Sequence, residues 1–197
     1  MQRLPEGHWD LPARGSVVVD DYFGLMANGH ACCTISTAVR RSMIEQLALR
    51  FPEGESMGED LDFFFRAAEA SPVALDVEPL AVYRESNDVV RLSRGHSRKL
   101  IAPFVERIES CCAGRMMPTD KREGCERYVA TKYELAVMQA IEERRVRAAR
   151  SLLLHPLLLA RWRRWIGLLA LSMLPTAIGT RILRLRRRLG RLRVHGA

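Results

Sequence analysis

Phe51-Pro-Glu-Gly-Glu-Ser-Met-Gly-Glu-Asp-Leu-Asp-Phe-Phe-Phe-Arg66 is the stretch on which the reading of this 197-residue chain turns. It opens as a loop, because Pro52, Gly54 and Gly58 interrupt any regular element. From Glu59 the pattern becomes helical. Leu61, Phe64, Phe65 and Ala68 recur at i, i+3, i+4 and i+7 and predict a helix to about Ala70, stopped by Ser71-Pro72. Glu59 and Asp60 then fall in the first turn, where the helix dipole and unbonded N–H groups favour negative charge. Two chemistries suit that place. Acids there cap helices, and spacing alone favours this reading. An accessible, ionised carboxylate on a rigid element can also act as a general base. Glycine on the entry side lets a substrate approach the backbone closely.

Upstream, residues 1–15 carry Pro5, Gly7, Pro12 and Gly15 and read as loop. Ser16 to Val19 is a β-branched run that predicts a short strand, ended by Asp20-Asp21. Cys32 to Val39 alternates in part and predicts a buried strand. Ser42 is placed to cap a helix over Met43 to Arg50. Downstream, Val73 to Val77 and Leu80 to Tyr83 are strand-like. From Ser97 the stripe Leu100, Ile101, Phe104, Val105 and Ile108 is helical, with Pro103 in the first turn or at a kink. After a loop near Gly114 to Asp120, one long helix is expected from about Glu123 to Leu154, with Tyr133, Val137 and Ile141 on its inner face. The element order predicts an α/β piece followed by a helical extension.

Composition excludes a wholly disordered or fibrous chain, since 48% of residues are hydrophobic and 27% charged. The net charge of +8 hides a split. All 23 acids lie at or before Glu143, where 17 Lys and Arg leave a net −6. Residues 144–197 hold 14 Arg, no Lys and no acid. No apolar leader segment opens the chain, which points to a start in the cytosol. The five cysteines, Cys32, Cys33, Cys111, Cys112 and Cys125, are odd in number and form no Cys-x-x-Cys. They read as reduced, partly buried thiols of a reducing compartment.

Phe-Pro-Glu-Gly-x-x-Met-Gly-Glu-Asp-Leu-Asp-x-x-x-Arg, then Pro-Val-Ala, then Pro-Leu-Ala-Val-Tyr-Arg, resembles the acceptor half of bacterial family 2 glycosyltransferases. The preceding Thr34-Ile-Ser-Thr-Ala-Val-Arg-Arg41 is similar to the strand and paired basic residues found before it there. The resemblance covers about residues 20–95. It implies a partial mixed α/β sheet of the GT-A type. It also implies inverting transfer of a sugar from a nucleotide-sugar donor to a polysaccharide or lipid-linked acceptor. Asp60 would be the catalytic base, taking the proton of the acceptor hydroxyl. Glu59, Gly58 and Met57 would shape the substrate pocket, and Arg66 would be a structural ion-pair partner rather than a diphosphate contact.

The family also implies Mg²⁺ or Mn²⁺ on the donor diphosphate, held by an Asp-x-Asp at a strand end. No such ligand set is identified in this sequence. Asp20-Asp21 does end a strand-like run, but it precedes Asp60 by only 39 residues and reads as an ordinary turn. Asp60-Leu61-Asp62 has the letters but opens a helix. The donor-binding half has no counterpart, so the chain is expected to be the C-terminal portion of an enzyme.

Residues 144–197 interleave Arg with Leu, Trp and Ile, which suits the headgroup layer of an anionic membrane. The longest uncharged run, the 16 residues between Arg164 and Arg181, contains Gly167, Pro175 and Gly179 and is short of a comfortable span. In-plane association is therefore favoured over packing on the catalytic domain, a short true span, or nucleic-acid binding, for which no recognition pattern is visible. His155 and His195 read as incidental. The expected organisation is a partial GT-A-like domain over 1–95, a helical extension over 96–150, and a basic amphipathic membrane-associating tail over 151–197. The expected location is the cytoplasmic face of the inner membrane. The alternative is a non-catalytic, membrane-anchored binding module.

Overall fold

The computed structural model describes residues 2–3, 11–29, 34–55, 57–78, 81, 99–114, 117–175, 177–183 and 185. Among them the chain is mostly helical, with a small mixed sheet. β1 (Gln2–Arg3) pairs parallel with β2 (Ser16–Val19), and β2 pairs antiparallel with β3 (Val73–Asp76). Ser16 stands opposite Asp76 and Val19 opposite Val73. The Ser16 hydroxyl donates to Asp76 Oδ2 at 3.1 Å and closes that end of the pair. Val17 and Val19 point one way from the strand and are buried, as the two-residue period requires.

The helices are α1 (Tyr22–Ala27), α2 (Arg41–Gln46), α3 (Glu59–Ala70), α4 (Pro103–Ala113), α5 (Thr119–Glu142), α6 (Val146–Leu152), α7 (Pro156–Ala160) and α8 (Trp162–Met173). Two compact units emerge, Met1–Val129 and Ala130–Ala197, with the division inside α5. α4 and the start of α5 belong with the sheet because Phe104, Val105, Ile108, Cys112, Cys125, Tyr128 and Val129 are buried in the same unit.

In the first unit that core is centred on Phe65. Its ring meets those of Tyr22 (5.7 Å between centroids), Phe23 (5.0 Å), Phe104 (6.1 Å) and Tyr128 (4.8 Å). Such pairs each add about 1 kcal/mol to the burial of the rings themselves. α3 therefore has the expected bounds, and its apolar stripe is wider than expected, with Phe63 and Ala67 also buried. These two face Leu49, with Val39, Met43 and Ile44 packed alongside.

The C-terminus of α3 has a partner that no local pattern announces. Lys121 is buried, and its Nζ donates to Ala68 O at 2.6 Å and Glu69 O at 3.0 Å. A cation on the last carbonyls of a helix satisfies orphan acceptors and complements the dipole.

Four expectations are corrected. Thr34–Ser36 is an exposed turn of 3₁₀ helix, and 37–40 is irregular, so Cys32 to Val39 is not a strand over its described part. Ser and Thr hydroxyls offer local alternatives to a ladder, and Thr34 uses its own on Asp60. Ser42 lies inside α2, which starts at Arg41 and ends by Leu47, with Ala48 at φ +48°. The long helix breaks after Glu142. Arg144 adopts φ +60°, and the bonds Arg144 N to Ile141 O and Arg145 N to Ala140 O close the last turn as a left-handed cap does. Finally, Cys112 and Cys125 form a disulfide between α4 and α5, leaving Cys111 as the free thiol among the described cysteines. The strand expected at Leu80 to Tyr83, Cys32, Cys33, the Arg-rich end from 186 and His195 lie outside the described residues, save Ala81.

In the second unit, Tyr133, Val137 and Ile141 are buried on one face of α5, with Ala149, Leu153, Leu158, Leu168 and Leu183. His155 stacks on Tyr133 with 3.8 Å between ring centroids, a packing role. Trp165 Nε1 donates to Leu153 O at 2.8 Å. No helix among the described residues is long and apolar enough to cross a membrane. α8, at 12 residues, reaches only about 18 Å of the ~30 Å required.

Candidate functional site

Gly58 is the residue that aims the Glu-Asp pair. It precedes α3 at φ +80°, a left-handed conformation that favours glycine. The Phe104 ring occupies the space where a side chain at 58 would begin. The sequence assigns Gly58 to substrate approach; in the fold it gives close packing of loop on α4. Met57, Glu59 and Asp60 are half-buried around it.

Asp60 is held from two sides. Thr34 Oγ1 donates to its Oδ2 at 3.1 Å, and Leu61 N donates to its Oδ1 at 2.8 Å. Tyr128 is close enough to feel its charge. Burial pushes the phenol well above its ordinary range, and the Asp60 carboxylate adds to that rise. The structure thus brings Thr34, Asp60 and Tyr128 to one end of α3. Asp60 retains an accessible edge.

Beneath this loop runs an ion network. Asp62 is buried in the first turn of α3. Its Oδ2 pairs with Arg66 at 2.9 Å, and its Oδ1 accepts from Arg107 Nε at 2.8 Å. Arg107 also grips Glu55 with both terminal nitrogens, at 2.5 and 2.9 Å. Arg66 reaches on to the Arg50 carbonyl. The guanidinium holds the Glu55 carboxyl below the usual range, mainly through this hydrogen bonding, while burial opposes it. Glu55, with Asp62 behind it, in return pushes Arg107 upward, against the opposing effect of burial. Arg66 is therefore an ion-pair partner, as its place in the sequence suggests. Arg107 has no signal in the sequence, because its carboxylates lie 45 and 52 residues away.

Neither acidic pair fits a metal. Asp21 accepts from Gly24 N at 2.9 Å as the cap of α1 and packs against Gly124. Asp62 is consumed by two arginines. Among the described residues no group of three or more His, Cys, Asp or Glu could hold a metal ion. Neither acidic pair therefore offers a ligand set for the Mg²⁺ or Mn²⁺ that the resemblance implies.

A larger opening lies elsewhere on the first unit. A cavity of about 430 Å³ is bounded by Tyr22, Val39, Arg40, Met43, Phe64 and Pro72, among others, and its lining includes none of Met57, Gly58, Glu59 or Asp60. Its walls are mainly apolar, and Arg40 is exposed.

The second unit presents a different surface. Trp162, Ile166 and Met173 are 59%, 50% and 69% exposed and fall on one stripe of α8. Leu154, Leu159, Leu174, Ile178, Ile182 and Leu185 are also exposed. A helix that buries one apolar face and displays a second has a further partner to meet. The chain matches no protein-family model, no curated protein and no solved structure.

Proposed function

We propose that this chain is the acceptor-side part of a GT-A-like glycosyltransferase of the family 2 type, held on an anionic membrane surface by residues 144–197. One observation supports it most. Asp60 is an accessible carboxylate on a helix terminus whose loop is locked by the Glu55–Arg107–Asp62–Arg66 network. A general base needs that rigidity, because its proton transfer depends on reach to within hydrogen-bond distance of the acceptor hydroxyl. On this reading Asp60 takes the hydroxyl proton as the oxygen attacks the anomeric carbon. Thr34 orients the carboxylate, and Met57, Gly58 and Glu59 border the acceptor. The donor nucleotide-sugar and its metal would be bound by another half, outside these 197 residues, and the acceptor would be a glycan or lipid-linked saccharide.

The membrane part rests on the exposed stripe Trp162, Ile166, Met173 beside a segment with 14 Arg and no acid. Apolar side chains enter the headgroup boundary, and arginines meet phosphates. On this reading the protein lies peripherally, on the cytoplasmic face of the inner membrane.

The deciding experiment is sugar transfer from a panel of nucleotide sugars. It uses this chain together with any coding sequence that precedes Met1 in frame. Asp60→Asn should lower turnover by about 10²–10⁴-fold with acceptor binding retained. Unchanged turnover in Asp60→Asn overturns the assignment of the base.

A second reading, a non-catalytic membrane-anchored binding module, is favoured by the 430 Å³ cavity, which lies apart from Asp60. Sugar transfer separates the two: metal-dependent transfer from a nucleotide sugar by this chain together with any in-frame preceding sequence, lost in Asp60→Asn, supports the enzyme, and binding without transfer supports the module.

A further inference from the structure

A cleft of about 240 Å³ opens in the second unit, bordered by Glu134, Arg163, Arg164, Gly167, Leu168 and Leu171. Its polar and apolar sides are distinct. Glu134 is buried, and its two oxygens pair with Arg161 at 2.8 Å and Arg164 at 3.0 Å. Glu134 thus fixes Arg164 in the cleft and Arg161 beside it, and with Arg163 the lining carries two guanidiniums against one carboxylate. Arg163 lies with its guanidinium 5.3 Å from the Trp162 ring centre, which steadies a long side chain at the rim. Guanidiniums pre-set in this way match phosphate oxygens in pairs.

Gly167 is an exposed part of the lining. A side chain there would meet nothing within 4 Å, so the space above it is open. Leu168 and Leu171 close the apolar end. One position around the helix from Arg163 and Gly167 stand Trp162 and Ile166, both exposed. A phosphate in the cleft would therefore have apolar side chains beside it, as a lipid headgroup with its acyl chains requires. A free phosphate would make no use of them.

We infer that this cleft is a specific site for the phosphate of an anionic phospholipid, with Arg163 and Arg164 gripping the oxygens and Trp162 and Ile166 alongside the chains. The inference rests on the membrane-surface reading and deepens it. General attraction of a basic segment to negative charge needs no cleft, whereas this site discriminates by headgroup chemistry.

The test is flotation of the full chain with vesicles of phosphatidylcholine carrying either phosphatidylglycerol or oleate, matched in surface charge. Wild type should bind the phosphatidylglycerol vesicles about tenfold better. Gly167→Leu keeps every charge and adds a better helix former, but fills the cleft. It should lower binding to the level of the oleate vesicles and leave oleate binding unchanged. Arg163→Gln should lose more phosphatidylglycerol binding than Arg150→Gln, which removes the same charge elsewhere. Circular dichroism confirms that each variant is folded. Equal binding to both vesicles by wild type, or undiminished selectivity in Gly167→Leu, overturns the site while the membrane reading stands. No flotation with either vesicle removes the membrane reading itself. Binding of soluble glycerol phosphate that depends on an open Gly167, without vesicle selectivity, overturns the lipid assignment in favour of a free phosphate.

Discussion

Arg107 Nε donates to Asp62 Oδ1 at 2.8 Å across 45 residues of sequence, and this bond ties α4 to the first turn of α3. It fixes the helix end that carries Asp60 while leaving Asp60 itself outside the network. Asp62 is the buried member, so the two neighbouring acids have opposite duties. Asp62 holds the loop, and Asp60, half-buried, keeps an accessible edge. A buried carboxylate is tolerated only because two guanidiniums satisfy it.

Arg107→Ala should therefore destabilise the protein by about 2 kcal/mol, since it strips both Asp62 and Glu55 of a charged donor. For a chain of this size that is a fall in Tm of about 4–8 °C. A thermal melt followed by circular dichroism reads it. A shift below about 1 °C would mean that the network adds nothing to stability.

The same pair sets a pH dependence. Because Arg107 lowers the Glu55 carboxyl in the folded state, Glu55 contributes stability that is complete above the unfolded value of about 4.3. That contribution is lost as pH falls through the lowered folded value. The urea midpoint of the wild type should thus drop between about pH 5 and about pH 3. Glu55→Gln should be less stable at neutral pH and show a shallower drop in that window. Parallel acid limbs in the two proteins would show that Glu55 does not couple to folding.

Much of this was legible in the sequence where one element explains itself. The helix Glu59–Ala70 announces its period through Leu61, Phe64, Phe65 and Ala68, and the strand Ser16–Val19 through its β-branched run. What escaped depends on partners far along the chain. Thr34 reads as strand until its hydroxyl finds Asp60. Nothing near Lys121 in the sequence marks it as the cation that caps α3. The helix end at Arg144 carries neither Gly nor Pro, so nothing local marks the left-handed turn there. At the candidate site the same division holds. The position of Asp60 in the first turn follows from spacing, whereas the neighbours that orient and restrain it, Thr34, Tyr128 and Arg107, come from three other segments.

The cysteines offer a direct check. Cys112 and Cys125 are bonded, with 13 residues of separation, and both are buried. A non-reducing digest should yield one linked peptide joining them, and Cys111, half-buried and with its thiol pushed up by burial, should label slowly in the folded protein and faster once it unfolds. Cross-linking a loop of this length stabilises by about 3 kcal/mol. Cys125→Ser should lose that under oxidising conditions and differ little from wild type under reduction. Free thiols at both positions in the oxidised, denatured protein would refute the bond.

The proposed membrane contact makes a direct demand on the second unit, and one substitution isolates it. Ile166 is 50% exposed on the stripe with Trp162 and Met173, and it is not part of the cleft lining. If that stripe enters the headgroup boundary, burying the free half of Ile166 is worth roughly 1–1.5 kcal/mol, or about tenfold in partitioning. Ile166→Glu forfeits this and adds a negative charge facing anionic lipid. Its binding to phosphatidylglycerol vesicles should fall by at least about tenfold. Ile35→Glu makes the same change at a side chain that is 62% exposed in the first unit. It should leave binding untouched, because Ile35 belongs to the acidic part of the chain and not to the basic one. Equal losses from the two substitutions would attribute vesicle binding to overall charge. Loss in Ile166→Glu alone would identify α8 as the face that meets the lipid.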